Sequence, residues 1–207
     1  MKFCGKKKEY ILQGLSYFNM ENSSETVLFL EHFLRLLRKT MKWKQKKGIL
    51  ILCIGTDRST GDCLGPLIGY KLRKEKFQNV VVMGTLENPV HAGNLSESLR
   101  KIRDQYPDHL VIAIDASVGK DDSVGYITLE EGPLYPGLGV KKELEAIGDI
   151  SITGIVGCLT EGDPLFLQSI RLSVVMKMAD AISRCLSVVM IHMENTVENF
   201  YGSESFV

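Results

Sequence analysis

Three short apolar runs, each ended by a glycine or an aspartate, constrain the fold of this chain more than any other feature. They occupy residues 49–55, 80–84 and 110–115. A continuous run of this length, rich in Val, Ile and Leu, is typical of a strand that is buried on both faces. Such strands occur mainly in parallel sheets, so the runs predict an α/β fold.

Segments with helical character separate these runs. Residues 65–77 carry Pro66 in a first turn and basic residues late, and residues 95–106 stop before Pro107. The remaining predicted elements are a more polar strand at 125–129, placed at an edge, a short helix at 141–147, a strand at 150–157 and a long helix at 165–192. The alternation predicts a three-layer α/β/α sandwich whose sheet has about five largely parallel strands.

The N-terminal part is predicted to precede this core in a single domain that spans residues 1–207. Residues 1–48 would form a lead-in and one helix, residues 49–193 the α/β core, and residues 194–207 a flexible polar tail. Asn22 with Glu25 three residues later is typical of a helix start. The predicted apolar face of that helix consists of Val27, Leu30, Leu34, Leu37 and Met41.

The composition indicates which binding partners and which cellular compartment to expect. Twenty-five basic residues balance twenty-five acidic ones, so the formal net charge of zero gives no general attraction to nucleic acid or to an anionic membrane. The five cysteines are widely spaced, which favours reduced thiols in a cytoplasm over a disulfide framework. We expect neither a targeting segment nor a membrane span, because no apolar stretch is long enough.

The candidate chemistry lies in two aspartates, each near the end of a predicted strand. Asp62 lies in the loop after the first run, and Asp115 ends the third. Ligands and catalytic groups of parallel sheets gather beyond the carboxyl ends of the strands. Two carboxyls brought together cannot ionise equally easily, so one can act as an acid and the other as a base. As an alternative, Asp62 caps a helix and Asp115 stabilises a turn.

Other chemistries fit the same region less well. The glycine-containing loop 55–66 lacks the spacings of a dinucleotide fingerprint or a P-loop, and its two aspartates would repel phosphate. Cys63 and Ser117 have no histidine placed by the sequence to activate them as nucleophiles. The carboxylate pair requires no cofactor, whereas Asp62 and Asp115 together with His91 would make a divalent-metal site.

The segment 54–67, Ile-Gly-Thr-Asp-Arg-Ser-Thr-Gly-Asp-Cys-Leu-Gly-Pro-Leu, resembles the motif of the YyaC-type sporulation proteins of endospore formers. That family is similar to the spore germination protease, an atypical aspartic-type endopeptidase, and more distantly to the hydrogenase maturation endopeptidases. Residues 111–116 resemble the segment of the germination protease that carries its second catalytic aspartate. Residues 135–144 resemble a Pro-Gly-rich stretch with a basic continuation.

The resemblance implies a phosphorylase/hydrolase-like sandwich and a peptidase whose catalytic pair would be Asp62 and Asp115. It places substrate contacts at Asp57, Arg58 and Gly61, where Arg58 would hold an acidic substrate or pair with Asp57. Hydrogenase maturation enzymes bind nickel through two acidic residues and a histidine, but residues 134–147 contain no histidine. The pro-segment and extra domain of the germination protease also have no counterpart here.

The resulting hypothesis is a sporulation-associated endopeptidase in the cytoplasm of the mother cell or forespore, acting on a protein or peptide. One alternative is a non-catalytic sporulation factor that binds a protein partner. The other is a metal-dependent hydrolase or maturation-type peptidase. The two aspartates are dispensable in the first alternative, and added metal raises the melting temperature in the second.

Overall fold

In the described part of the chain, the strands are β1 (Ser16–Asn19), β2 (Gly48–Cys53), β3 (Val80–Met83), β4 (His109–Gly119), β5 (Tyr126–Glu131) and β6 (Ile150–Cys158). They form one six-stranded sheet in the order β1-β5-β6-β4-β2-β3. A computed structural model describes residues 16–136, 145–158 and 166–201. Strands β2, β3, β4 and β6 are parallel, and β5 and β1 pair antiparallel at the side opposite β3.

Helices cover both faces of the sheet, as the sequence predicted. They are α1 (Ser23–Lys44), α2 (Leu64–Leu72), α3 (Leu95–Gln105), α4 (Phe166–Ser169) and α5 (Leu172–Tyr201). Alternate side chains of β2 separate the two cores. Ile51 packs on the side of α1, α2 and α5, whereas Leu50 and Leu52 pack on the side of α3. The expected three-layer α/β/α architecture is confirmed.

The sixth strand, β1, was not predicted, because four residues are too short to show a periodicity. It lies inside the segment expected to be an irregular lead-in. Its Phe18 is buried and meets Phe29 of α1 edge to face at 5.3 Å. Since β1 pairs with β5, the latter is an interior strand and not the edge strand that its polar sequence predicted.

The face that α1 turns to the sheet differs from the predicted one. Its fully buried side chains are Phe29, Phe33 and Leu37, and of the predicted face only Leu37 is among them, while Val27 is 52% exposed. Two phenylalanines four residues apart, stacked with ring centroids 5.9 Å apart, decide this orientation. Leu30, Leu34 and Met41 of the predicted face lie at its margin and are partly buried.

The C-terminal helix is interrupted and longer than expected. The predicted helix at 165–192 is divided between α4 and α5 by a break at Ile170 and Arg171. No glycine or proline occurs from 172 to 201, so α5 continues through residues assigned to a flexible tail. Residues 202–207, the rest of that predicted tail, lie outside the described residues.

The predicted helix at 141–147 is not found where it can be examined. Residues 137–144 lie outside the described part of the chain, and with them most of the Pro-Gly-rich stretch. Ile147 instead forms an antiparallel bridge with Leu134, each donating its N–H to the other's carbonyl. No helix within the described ranges is both long enough and apolar enough to cross a membrane.

The order of the strands creates a switch point between β2 and β4. From β2 the chain crosses to β3 through α2 on one face, and it then crosses back over β2 to β4 through α3 on the other. The two connections therefore diverge above adjacent strands and leave a crevice between them. This is where open α/β sheets place their ligands.

Candidate active site

Strand β4 extends beyond the end of its neighbour β2, and Asp115 is the first residue of β4 past their last paired residues. The backbone N–H of Ile54 donates to the carbonyl of Ile114 at 2.7 Å, and Asp115 is the next residue of β4. Beyond this point β4 remains paired with β6, through the pair of Asp115 and Thr153 and onward to Gly119. The Asp115 carboxyl therefore projects at the open end of the switch point.

The loop after β2 folds back so that Asp62 stands over the same strand ends. Gly55 has a φ of 137° and donates its N–H to the carbonyl of Val90 at 2.8 Å. Thr56 donates to the backbone carbonyl of Asp62 at 3.1 Å, and Asp62 occupies a single 3-10 turn at the start of α2. A Cβ atom on Gly55 would overlap the Asp62 carbonyl, so only glycine allows this close return of the loop.

The two carboxyls have unequal affinities for a proton. The pKa of Asp115 is raised well above its ordinary range, mainly by burial and secondly by the charge of Asp62. A 2.8 Å hydrogen bond from the Ala116 N–H lowers this pKa by a smaller amount. Burial also raises the pKa of Asp62, but the Thr56 backbone and His91 oppose the rise. On raising the pH, Asp62 therefore loses its proton first while Asp115 retains its own.

His91 belongs to the same site and comes from the loop after β3. Its backbone N–H donates to Asn94 Oδ1 at 2.8 Å, and Asn94 Nδ2 donates to the Pro89 carbonyl at 2.9 Å. His91 Nδ1 accepts the Gly93 N–H at 3.1 Å, which fixes the position of the ring. The loop thus holds a ring close enough for its charge to lower the pKa of Asp62.

The described residues contain no assembled set of metal ligands at this site. Among the described residues, no three His, Cys, Asp or Glu side chains stand together in a way that would hold one ion. Asp62, Asp115 and His91 interact through their charges but do not converge as ligands. The divalent-metal set considered from the sequence is therefore not assembled within the described ranges, and metal binding at this site stays a prediction.

The three predicted substrate-contacting residues occupy different surroundings. Asp57 and Arg58 are exposed on the loop, and no ion pair between them is present in the described structure. Gly61 is buried, and a Cβ atom there would come within 3.0 Å of Leu167 and 3.1 Å of Ile170. The backbone N–H groups of Gly55, Thr56 and Arg58 already have acceptors inside the loop or its neighbours. They are not spare donors for a substrate.

Cys63 follows Asp62 directly, but its environment disfavours a nucleophilic thiolate. Burial first, and then the charges of Asp57 and Asp62, raises the pKa of the Cys63 thiol. A thiol with a raised pKa stays protonated and is a weak nucleophile. The carboxyl pair therefore remains the candidate for chemistry at this loop.

A row of hydroxyl groups next to Asp115 was missed by the sequence analysis. The Oγ1 atoms of Thr128 and Thr153 lie 2.6 Å apart, and Ser117 Oγ donates to Thr153 Oγ1 at 3.3 Å. The register aligns Asp115, Thr153, Thr128 and Tyr17 across four strands on one sheet face, beside a cavity of about 460 Å³. The polar residues at every second position of 151–153 and 115–117 were the available signal.

Solved structures place the fold among known ones. The crystal structure of a NiFe hydrogenase maturation protease, HycI from Thermococcus kodakarensis KOD1, superposes with a TM-score of 0.50. The match covers 75% of this chain and 98% of that one at 15% sequence identity. At this identity the likeness is one of fold.

Sequence relatives confirm the expected resemblance to the YyaC-type proteins. The Bacillus subtilis (strain 168) protein described as "Uncharacterized protein YyaC" is 42% identical over 153 residues, which cover 74% of this chain and 75% of that protein. A family model described as "Protein of unknown function (DUF1256)" matches residues 19–185. With most of its length inside that model and a relative this similar, the chain belongs to the DUF1256 family and is of the YyaC type.

Proposed function

We propose that this chain is an endopeptidase in which Asp62 is the general base and Asp115 the general acid. The proposal rests on the placement of two carboxyls at the open end of the switch point, where burial raises the pKa of Asp62 and raises that of Asp115 well above its ordinary range. Pairs of titratable groups whose surroundings separate their pKa values are typical of acid–base catalysis. A helix cap or a turn residue would not need a second carboxyl whose charge disturbs it.

The chemistry requires both protonation states at once. The Asp62 carboxylate takes a proton from a water molecule as the water oxygen forms a bond to the peptide carbonyl carbon. The Asp115 carboxyl gives its proton to the carbonyl oxygen, so the intermediate is a neutral diol. When the diol collapses, Asp115 recovers a proton from one hydroxyl, the C–N bond breaks, and Asp62 gives its proton to the leaving nitrogen. Both carboxyls then return to their starting states.

Neighbouring groups support this division of roles. The Thr56 backbone and the charge of His91 favour the ionised form of Asp62, as a base requires. The buried position of Asp115 favours its protonated form, as an acid requires. The hydroxyl row that continues from Asp115 through Thr153 to Thr128 offers polar groups of both donor and acceptor type to a bound peptide.

The proposed setting is the cytoplasm of the mother cell or forespore of an endospore former, with a protein or peptide as the substrate. Two similarities support it: the resemblance of residues 54–67 to sporulation proteins related to the germination protease, and the fold shared with a protein titled a maturation protease. These similarities support a peptidase and leave its cleavage site to experiment.

The test is hydrolysis of a peptide library derived from a proteome, with new termini identified by mass spectrometry. The wild type, Asp62→Asn and Asp115→Asn are compared under the same conditions. We expect each substitution to reduce the rate of cleavage by about 100-fold or more, the usual contribution of a general acid or base. Asparagine keeps the shape of each side chain while removing its proton transfer.

Asp108→Asn is the matched control, because Asp108 is exposed and lies just before the opposite end of the strand that carries Asp115. It should cleave like the wild type. Cleavage that survives in both Asp62→Asn and Asp115→Asn would come from another site or another protein, and the proposal would then be abandoned.

A further inference from the structure

Strand β3 is a short edge strand that has no proline, charged residue or bulge to protect its edge. It pairs with β2 on one side, and no other strand of the described sheet lies beyond it. Its sequence, Val80-Val81-Val82-Met83, contains no proline and no charged residue, and its pairing with β2 has no bulge. Soluble proteins commonly protect an exposed edge with one of these features or cover it with another element.

The backbone of β3 directs hydrogen-bonding groups outward from this edge. Ile49 of β2 donates its N–H to the Asn79 carbonyl at 3.0 Å, and Ile49 is in register with Val80. In a parallel pair, the residues that bond to the neighbouring strand alternate with residues that face away from it. Val81 therefore faces β2, and the N–H and carbonyl groups of Val80 and Val82 face outward.

These outward groups open into a groove of about 1030 Å³. One wall comes from the end of α2 and the loop after it, including Leu72 and Phe77. The other comes from α3, including Ser98 and Lys101. Charges of both signs line the groove, among them Arg73, Glu75, Arg100 and Asp104. Because neither sign of charge dominates, the charged side chains do not favour one class of charged ligand. The outward N–H and carbonyl groups of β3 are therefore the main binding groups of the groove.

At the carboxyl end of β3 the groove reaches the loop that carries His91, although Asp62 and Asp115 do not line it. Thr85, Asn88 and His91 line that end. The charge of His91 acts on Asp62, and Val90 bridges to Ile54 at the base of the catalytic loop. A chain extended along the groove therefore reaches the group that adjoins the proposed base.

We propose that an extended segment of a polypeptide substrate binds along β3 as an additional strand, through the outward backbone groups of Val80 and Val82. This inference rests on the proposed peptidase function and adds how the substrate is held. Backbone pairing gives affinity without demanding a sequence, and it requires that the bound segment be unfolded. The occupant is thus an unstructured region of a protein or a free peptide, not a folded domain.

The experiment uses the full chain carrying Asp115→Asn, so that bound peptide stays intact. The probe is a pool of randomised decapeptides with acetylated and amidated ends, and the readout is amide hydrogen exchange. We expect saturating peptide to slow exchange at Val80 and Val82 by tenfold or more, with no comparable change at Val81. Peptide binding that leaves the Val80 and Val82 amides unaltered would overturn the inference.

A substitution gives an independent measurement. Val82→Pro removes the outward N–H, and proline is tolerated at an edge where that N–H faces away from the sheet. We expect at least tenfold weaker binding of a fluorescein-labelled form of the same pool, while Val82→Ala, which keeps the N–H, binds within about threefold of the parent. Equal affinities of the two variants would contradict the inference, and the exchange experiment decides the matter should the proline variant fail to fold.

Other outcomes distinguish strand addition by the substrate from the proposed peptidase activity. Cleavage that depends on Asp62 and Asp115 without protection of Val80 and Val82 keeps the peptidase and removes the strand addition. Protection without cleavage by the wild type keeps the peptide groove and removes the peptidase. Protection in the absence of peptide, with a concentration-dependent dimer in sedimentation, would show that a second copy of the chain occupies the edge and would overturn the inference.

Discussion

Asp115 is partly buried at the strand ends where Asp62 also lies, and desolvation followed by the charge of Asp62 raises the pKa of Asp115 well above its ordinary range. The effect is not symmetrical. The groups that act on Asp62 are its own burial, the Thr56 backbone and His91. A protonated Asp115 carries no charge while Asp62 titrates, so only one member of the pair perturbs the other.

This asymmetry predicts different effects of two asparagine substitutions on titration. Asp62→Asn should lower the pKa of Asp115, because a neighbouring negative charge is removed. Asp115→Asn should leave the pKa of Asp62 almost unaltered. Carboxyl chemical shifts followed by NMR as a function of pH measure both. Equal downward shifts in the two variants would mean that the carboxyls share one proton instead of holding separate affinities.

Asp115 should make the protein less stable as the pH rises. An unfolded aspartate has a pKa of about 3.9, and the folded value is higher, so between these values the folded state binds more protons than the unfolded state. The free energy of unfolding therefore falls with pH across that window. Asp115→Asn should melt at least about 2 °C higher than the wild type at pH 7 and about equally at pH 3.

Circular dichroism is the suitable probe for that comparison, because the single tryptophan, Trp43, is 83% exposed and reports little on unfolding. Asp108→Asn, which lacks the burial of Asp115, serves as the control and should melt like the wild type at both pH values. If Asp115→Asn were less stable at pH 7, Asp115 would be a structural residue held by its charge.

The pH dependence of peptide cleavage should have two limbs, with Asp62 setting the acid limb and Asp115 the alkaline limb. His91 lowers the pKa of Asp62, so His91→Gln should move the acid limb to higher pH and leave the alkaline limb in place. Initial rates measured across the pH range test this. The exposed His192, changed to glutamine, should shift neither limb, and a shift of both limbs in His91→Gln would give the histidine another role.

Gly55 should be intolerant of any side chain. Its φ of 137° is strained for other residues, and a Cβ atom would also overlap the Asp62 carbonyl. Gly55→Ala should cost at least about 2 kcal/mol of unfolding free energy. Gly132→Ala is the matched control, since Gly132 has a φ of 129° but nothing within 4 Å of its added Cβ. The difference between the two variants in chemical denaturation isolates the overlap, and equal losses would show that strain alone matters.

The hydroxyl pair of Thr128 and Thr153 provides a test of the polar row. Thr153→Val should cost about 1–3 kcal/mol, because the buried Thr128 hydroxyl loses its 2.6 Å partner. Thr128→Val combined with Thr153→Val should recover most of that loss, since two apolar groups of the same shape replace both partners. Denaturant unfolding of the single and double variants measures the coupling. Simple additivity would mean that the two hydroxyls act independently.

The central strands were predictable because their chemistry is local. A continuous apolar run such as Ile49 to Ile54 needs no partner to be recognised, and the aspartates at strand ends follow from the topology of parallel sheets. Asp62, Asp115 and His91 could therefore be named in advance. Strand β1 and the position of β5 could not, because Ser16–Asn19 acquires its strand geometry from a partner far away in the chain.

The orientation of α1 and the geometry of the loop that follows β2 could not be predicted from the sequence either. Two apolar stripes overlap on α1, one containing Leu30 and Leu34 and the other Phe29 and Phe33. Because Phe29 packs against Phe18, the stripe with the phenylalanines faces the sheet. The packing of Gly61 under Leu167 and Ile170 depends on a helix that starts more than a hundred residues later. Contacts of that range are set by tertiary structure and leave no local pattern.

The pairing of β1 with β5 has a consequence for the order in which the protein assembles. Ser16 meets Leu129, a residue about 110 positions later, so this contact carries a large loop-closure cost and belongs to the slow part of folding. During synthesis β1 emerges first but has no partner until β5 has left the ribosome. Phe18 and the apolar face of α1 must therefore wait in solvent while α2, β3 and α3 are made. The nascent chain is most prone to self-association in that interval, because the apolar side chains of β1 and α1 have no partner yet.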